Sequence, residues 1–360
     1  MKRVIVPFFI PHQGCPHQCV FCDQRAISGK SAPLTEGEIV ETVGRWRAFS
    51  ASRSVEVAFY GGTFTSLPIN LQERLLAPLQ PMLRKGEVSS LRVSTRPDAL
   101  DMERVSFLRD RGVELVELGV QSMDDAVLRM AGRGHLAAHC EEAFSLLKCA
   151  GMKVGAQLMP GLPGDTSAGA ISSLRRLLPL GPDLLRIYPA IVLKGTELAT
   201  LYAAGRYTPL TIDGAVSICK VMLHDAAVAG VRVIRVGLHH SEEFAAGGEV
   251  VAGPYHPAFR QLSEGERWHD LLTLVCADFS AGDELEVSVS PARVSDLVGQ
   301  KRFNLRRIED RIRVRFRRVR GEASLGLDEI VVSCGSMTVR DNILKRLRYD
   351  GSMNVNKEQP

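Results

Sequence analysis

The sequence predicts an α/β chain: a partial (β/α) barrel followed by a small α+β domain. Three observations predict it. Short runs rich in β-branched residues alternate with stretches of helical periodicity, the pattern of repeated βα units around a parallel sheet. The residues suited to chemistry sit just after those runs, where the loops of such a barrel gather on one face. Past about residue 245 the alternation stops, and a Gly-rich stretch, GGEVVAGPYHP, opens a region of shorter elements.

In chain order, the first strand is predicted over Val4 to Ile10. Thr35 and Glu38 form a capping box for a helix whose apolar residues Ile39, Val43 and Trp46 recur at helical spacing. Further strands are expected at Val55 to Tyr60, Leu91 to Thr95, Val113 to Val120, Lys153 to Met159, Asp183 to Tyr188 and Val231 to Val236. Helices are expected between them at Asp124 to Met130, Ala137 to Ala150 and Thr211 to Ala229. The division that results is 1–245 for the barrel, 246–350 for the small domain and 351–360 for a polar tail. In the second domain a strand is expected at Leu285 to Val289, a helix near Val294 to Val298, and a strand over Arg311 to Arg320.

The opening MKRVIVPFFIPH resembles a secretory signal only superficially: the apolar run is short, Pro7 interrupts it, and no small-residue cleavage site follows. With no long apolar span elsewhere, the expectation is a cytoplasmic protein without a membrane contact. There thiols stay reduced and clustered cysteines bind metal more often than they form disulfides.

Residues 14–24 read GCPHQCVFCDQ, placing Cys15, Cys19 and Cys22 in one short loop after the first strand, while the other five cysteines are scattered. Two readings are open. A structural zinc needs four closed ligands, so His12 or His17 would have to join the three thiolates, giving a zinc-stabilised RNA-binding protein without catalysis. A four-iron cluster held by three thiolates instead keeps one iron open to a reacting ligand. The C-x3-C-x2-C spacing, with Phe21 before the last cysteine, resembles the radical S-adenosylmethionine (SAM) superfamily. Further stretches along residues 1–240 are similar to two of its branches, the elongator catalytic subunits and the oxygen-independent coproporphyrinogen oxidases.

That resemblance implies a 4Fe-4S cluster on Cys15, Cys19 and Cys22, a radical SAM barrel, and an oxidoreductase or transferase that cleaves S-adenosylmethionine reductively. EVAFYGGTFTSLP places Gly61, Gly62 and Thr63 where the family receives the amino group of the cofactor. Glycines there let backbone approach a ligand that a side chain would block. ELGVQSMDDAVLRMAGRGH resembles the stretch in which Gln121 and Arg133 would contact the cofactor, Arg133 through its carboxylate. VSTRPDAL, with Arg96, is closer to the elongator-like branch, since Ser94 stands where coproporphyrinogen enzymes carry an acidic residue. In GAQLMPGLPGDT, Gln157 replaces an aspartate of those enzymes, which argues against porphyrin decarboxylation. IVLKGTELATLYAAGRYTPLT continues the elongator-like pattern, but no glycine-rich acetyl-CoA signature follows, so acetyl transfer is not expected. With no second cysteine cluster, the electron would come from an external donor, a flavodoxin or ferredoxin.

The formal charge of +4 is unevenly spread: Lys301 to Arg320 carries ten basic residues against Glu309 and Asp310, a local +8 that leaves the rest at −4. In RIRVRFRRV, alternation predicts a strand with Arg311, Arg313, Arg315 and Arg317 on one face and Ile312, Val314 and Phe316 on the other. Such a row suits phosphate contact, and hence tRNA, or simply protects a sheet edge. His239, His240 and His256 follow strands or flank a rigid loop and are either site residues or structural. Cys140, Cys149, Cys219, Cys276 and Cys334 read as small core residues, Cys334 being the best alternative thiol.

Overall fold

A computed structural model describes residues 3–10, 13–23, 33–49, 54–238 and 248–350. Contacts divide the chain into two units: Met1–Leu210 with Leu238–Pro254, and Thr211–Gly237 with Tyr255–Pro360. The boundary expected near residue 245 falls inside the segment Leu238–Pro254 of the first unit.

The first unit contributes six strands in unbroken parallel order: β1 (Arg3–Phe9), β2 (Ser54–Tyr60), β3 (Ser90–Thr95), β4 (Val113–Gln121), β5 (Lys153–Leu158) and β6 (Leu184–Ile187). They make the expected partial barrel. The strands read as continuous apolar runs because both faces are covered. Val57, Phe59, Leu91, Val93, Val116 and Leu118 are all fully buried. β1 and β2 pair from Arg3 with Ser54 to Phe9 with Tyr60, so the loops after both strands start at the same level. That register carries the site.

Helices fill the crossovers where the sequence signals them. The capping box forms as read: the Thr35 N–H donates to Glu38 Oε2 at 2.9 Å and the Glu38 N–H to Thr35 Oγ1 at 3.3 Å. In the helix Glu36–Phe49 that it starts, Ile39 and Val43 are buried, but Trp46, expected on the same face, is 41% exposed. The predicted helices at 124–130 and 137–150 form as Asp125–Met130, with Asp124 as its side-chain cap, and Ala137–Cys149.

The second unit holds the helix Ile212–Val228, capped by Thr211, and the strand Arg232–Val236 at the position expected for Val231 to Val236. Beyond them a long helix, Phe259–Cys276, packs with the helices Val294–Val298 and Phe303–Ile312. A four-stranded sheet runs in the order Arg315–Gly321, Glu284–Val289, Glu329–Cys334, Met337–Asn342. This is the small α+β region expected from the sequence.

One strand differs from its prediction. Arg311 and Ile312 end the helix Phe303–Ile312, and Arg313 caps it in the left-handed region at φ 60°. The strand begins only at Arg315, and the register shifts so that Arg317 is bulged between Arg315, opposite Glu284, and Arg318, opposite Glu286. All four arginines, Arg311, Arg313, Arg315 and Arg317, are exposed. They form no single strand face, because Leu305, Ile308 and Ile312 continue a helical period that the local alternation obscures.

Candidate active site

The loop leaving β1 is held from two sides. On one stands the turn after β2, where the Thr63 N–H donates to Gln13 O at 3.0 Å and Thr63 Oγ1 lies 3.4 Å from Cys15 Sγ. Gly62 permits that approach: a Cβ there would lie 2.4 Å from Gln13 O and 2.7 Å from Ile10 O. Gly61 makes the turn at φ 94°. On the other side stands the turn after the helix Asp125–Met130. Ala131 O accepts from the Val20 N–H at 3.2 Å, and Arg133 Nη1 donates to Cys19 Sγ at 3.1 Å. Phe21 is packed against the buried cluster that includes Val20, Val127, Ala131 and Leu162, which explains an aromatic residue before the last cysteine: it anchors the loop to the barrel. Cys22 then turns back, its N–H donating to Cys19 O at 3.1 Å.

Behind the loop, Arg96 follows β3 and grips Asp98 through Nε and Nη2, both at 2.9 Å. Its Nη2 also donates to the Arg133 carbonyl. Burial alone would raise the Asp98 carboxyl, but the hydrogen bonds and charge of Arg96 outweigh it and hold it below the usual carboxylate range. Gln121 ends β4 at φ 67°, where the register with β5 shifts, and its Oε1 accepts from Gln157 Nε2 at 3.2 Å. Gly119 lies between the two groups, since a Cβ there would come 2.9 Å from Gln121 Nε2 and 3.2 Å from Arg133 Nη2. The structure thus brings Cys15 to Thr63, Cys19 to Arg133, Arg133 to Arg96, and Gln121 to Gln157.

Other candidates separate out. His12, His239 and His240 lie outside the described residues. His17 is exposed, its ring against Gly134. His256 accepts from the Ala258 N–H through Nδ1 at 3.0 Å, next to the start of the helix Phe259–Cys276. Burial pushes the thiols of Cys140 and Cys276 up to about 12 and that of Cys219 up as well, as core residues require. Cys149, expected in the core, is exposed, and Cys334 is half-buried where the last hairpin turns.

A charged network that sequence reasoning did not single out lies among the strands. Arg92 donates twice to Glu56, at 2.9 and 2.7 Å, and once to Glu117 at 2.8 Å. Arg186 donates to Glu117 at 2.5 and 3.1 Å, to Tyr60 OH at 2.9 Å and to Tyr188 OH at 3.1 Å. Burial would raise the Glu117 carboxyl, yet the Arg186 and Arg92 charges hold it below its ordinary value. Gly155 on β5 leaves room, since a Cβ there would lie 3.1 Å from Glu117 Cγ. The signal available in the sequence was a charged residue (Glu56, Arg92, Glu117 and Arg186) inside each of four largely apolar runs.

Residues 9–177 match the Radical SAM superfamily, and residues 182–268 match the Radical_SAM C-terminal domain. An uncharacterized protein of Methanocaldococcus jannaschii is 31% identical over 224 residues, covering 59% of this chain and 69% of that one. This chain belongs to the radical SAM superfamily. A tRNA uridine(34) acetyltransferase of Dehalococcoides mccartyi is 28% identical over 247 residues, 58% of this chain and 54% of that protein, so the chain spans about half of this relative's length. The structure of Elp3 from Methanocaldococcus infernus shares the fold, with a TM-score of 0.59 at 22% identity over 72% of this chain and 61% of that one. Within the superfamily, these likenesses are to elongator-type proteins. The family's cofactors, a 4Fe-4S cluster and S-adenosylmethionine, are those of this enzyme. No helix among the described residues is long and apolar enough to cross a membrane.

The residues present fit those cofactors. Cys15, Cys19 and Cys22 are in no disulfide, thiolate sulfur is the donor such a cluster takes, and the Gly61-Gly62 turn exposes backbone beside them.

Proposed function

We propose that Cys15, Cys19 and Cys22 hold the 4Fe-4S cluster and that Gly61, Gly62, Thr63, Arg96, Gln121, Arg133 and Gln157 line the S-adenosylmethionine site. The observation that carries this reading is the double clamp on the cysteine loop, with Thr63 at Cys15 and Arg133 at Cys19. When bound, the cluster supplies a low-potential electron and S-adenosylmethionine supplies the 5′-deoxyadenosyl radical that abstracts hydrogen from a substrate. The chain's own residues orient and exclude. Gly62 brings backbone close, Arg96 fixes the Arg133 backbone, and Gln121 and Gln157 offer amide groups toward a bound ligand. An external donor, a flavodoxin or ferredoxin, delivers the electron.

The zinc reading is less well supported. A structural zinc would need a fourth protein ligand to close its tetrahedron beside Cys15, Cys19 and Cys22, whereas a four-iron cluster takes three thiolates and keeps one iron open. Anaerobic reconstitution followed by electron paramagnetic resonance, with and without S-adenosylmethionine, tests the choice. A reducible cluster whose signal responds to the cofactor is expected, and Cys19→Ala should abolish both the signal and 5′-deoxyadenosine formation. One zinc per chain, with no iron or sulfide in anaerobically prepared protein, would reverse it.

For the substrate we propose tRNA. Its support is the likeness of 58% of the chain to a tRNA uridine(34) acetyltransferase, together with the exposed Arg311, Arg313, Arg315 and Arg317. Acetyl transfer itself is not proposed, since the residues after about 245 carry no glycine-rich acetyl-CoA signature. Filter binding to tRNA at several salt concentrations should show a steep loss of affinity with salt, as phosphate neutralisation requires. Salt-insensitive or absent binding would favour a small-molecule or peptide substrate.

A further inference from the structure

The turn Gly132-Arg133-Gly134 follows the cysteine loop residue by residue. Gly132, at φ 64°, is so close that a Cβ would lie 3.2 Å from Gln18 O. Gly134, at φ 69°, is close enough that a Cβ would lie 2.3 to 2.9 Å from the His17 ring. Between them Arg133 reaches Cys19 Sγ at 3.1 Å. Both glycines take the left-handed conformation that disfavours a side chain, so the close approach that delivers the guanidinium is built into the backbone.

Arg133 is also held from behind. Its Nη2 donates to Gly119 O at 2.6 Å, and its carbonyl accepts from Arg96, which Asp98 grips twice. Arg96 is 4% exposed and Arg133 6%. Yet among the described residues no carboxylate pairs with Arg133, and its Nε is buried without a hydrogen-bond partner. A desolvated cation in that position calls for an anion. The side chain it reaches is that of Cys19, through the sulfur.

We propose that Arg133 is a positioning residue for the cluster: it donates a charge-assisted hydrogen bond to the Cys19 thiolate and thereby raises the reduction potential of the 4Fe-4S cluster. The inference rests on the reading that Cys19 is a cluster ligand. Hydrogen bonds to ligating sulfur are among the quantities that set such potentials, because they stabilise the added negative charge of the reduced cluster. A guanidinium has five N–H donors, and the sulfur and Gly119 take two. The carboxylate contact implied by the family resemblance therefore remains available to Arg133 alongside this one.

The test is a potentiometric titration of the reconstituted holoprotein, followed by electron paramagnetic resonance in the absence of S-adenosylmethionine, so that a carboxylate contact cannot contribute. Arg133→Met should shift the midpoint to a more negative value at unchanged iron and sulfide content. Arg133→Lys, which keeps a single cationic donor, should recover part of the shift. Gly119→Ala, whose Cβ would crowd Arg133 Nη2, should move the midpoint in the same direction without touching the arginine. Loaded variants with the wild-type midpoint overturn the inference and leave the three-cysteine reading standing. So does loss of the cluster from Arg133→Met combined with unmoved midpoints in the other two. A wild-type protein that takes up no cluster overturns the underlying reading instead.

Discussion

Two sets of largely buried arginines in the first unit are held in opposite ways. Arg92 and Arg186, among the strands, are matched by carboxylates and hydroxyls: Glu56, Glu117, Tyr60 and Tyr188 account for them. Arg133, at the cysteine loop, has a sulfur and a carbonyl and no carboxylate among the described residues. Two glutamates against two arginines leave the network without net charge, so it needs nothing from outside. The arginine at the loop is short of anions and keeps donors in hand, which is the condition of a group arranged for something that binds. Burial is common to both; what separates scaffold from site is whether the charge is already neutralised.

Breaking the scaffold should give the larger effect on stability. Glu117→Gln removes the carboxylate that Arg92 and Arg186 share, and leaving buried cations uncompensated costs about 3–5 kcal/mol. Denaturant unfolding of the variant should show that loss. If the protein stays folded at low temperature, its cluster signal should survive, because Glu117 makes none of the contacts that hold the cysteine loop. A change at the loop should do the reverse. Gly62→Ala puts a methyl group 2.4 Å from Gln13 O, at about 1–3 kcal/mol for overpacking. The measurable consequence is less iron bound per chain after reconstitution. A Gly62→Ala protein with full cluster content and normal S-adenosylmethionine affinity would mean that the close approach is structural only.

The same contrast explains what the sequence made legible. The parallel strands could be read because each buries both faces and announces itself as an apolar run, and the cysteine loop because its three cysteines are neighbours in the chain. The grip of Arg133 on Cys19 could not be read from spacing: the two are 114 positions apart, and the resemblance assigned Arg133 to the cofactor's carboxylate. Nor could the pairing of Glu117 with Arg186, 69 positions away and across β5, although charges inside largely apolar runs hinted at it. Around Arg311 to Arg317 the exposure does alternate as a strand would. There the alternation is a coincidence of a helix end, a left-handed cap at Arg313 and a strand start. Alternation over few residues reports burial, and backbone conformation has to be judged from the longer period that leads into it.

A smaller effect separates the two regions by pH. His135, next to the glycine turn, donates through Nε2 to Val120 O at 3.3 Å, and its Nδ1 is buried without a partner. Burial, then the charges of Arg133 and Arg96, push its imidazole down to about 3. The folded protein therefore keeps His135 neutral where the unfolded chain, with a histidine near 6.5, takes up a proton. The unfolded state binds more protons across that window, so stability should fall as pH drops below about 6.5, by about 1.4 kcal/mol per pH unit from this group, and level off near 3. Glu117 acts in the same direction, because its depressed carboxyl stabilises the fold at neutral pH and that contribution is lost as pH falls through its folded value. His135→Gln keeps a donor for Val120 O and removes the titration. Unfolding free energies of wild type and His135→Gln between pH 7 and pH 5 should diverge, with the variant's slope the flatter. Parallel curves would mean that water reaches the ring and that Arg133 and Arg96 are better solvated than their burial indicates, which would also weaken the contrast between the open site and the closed network.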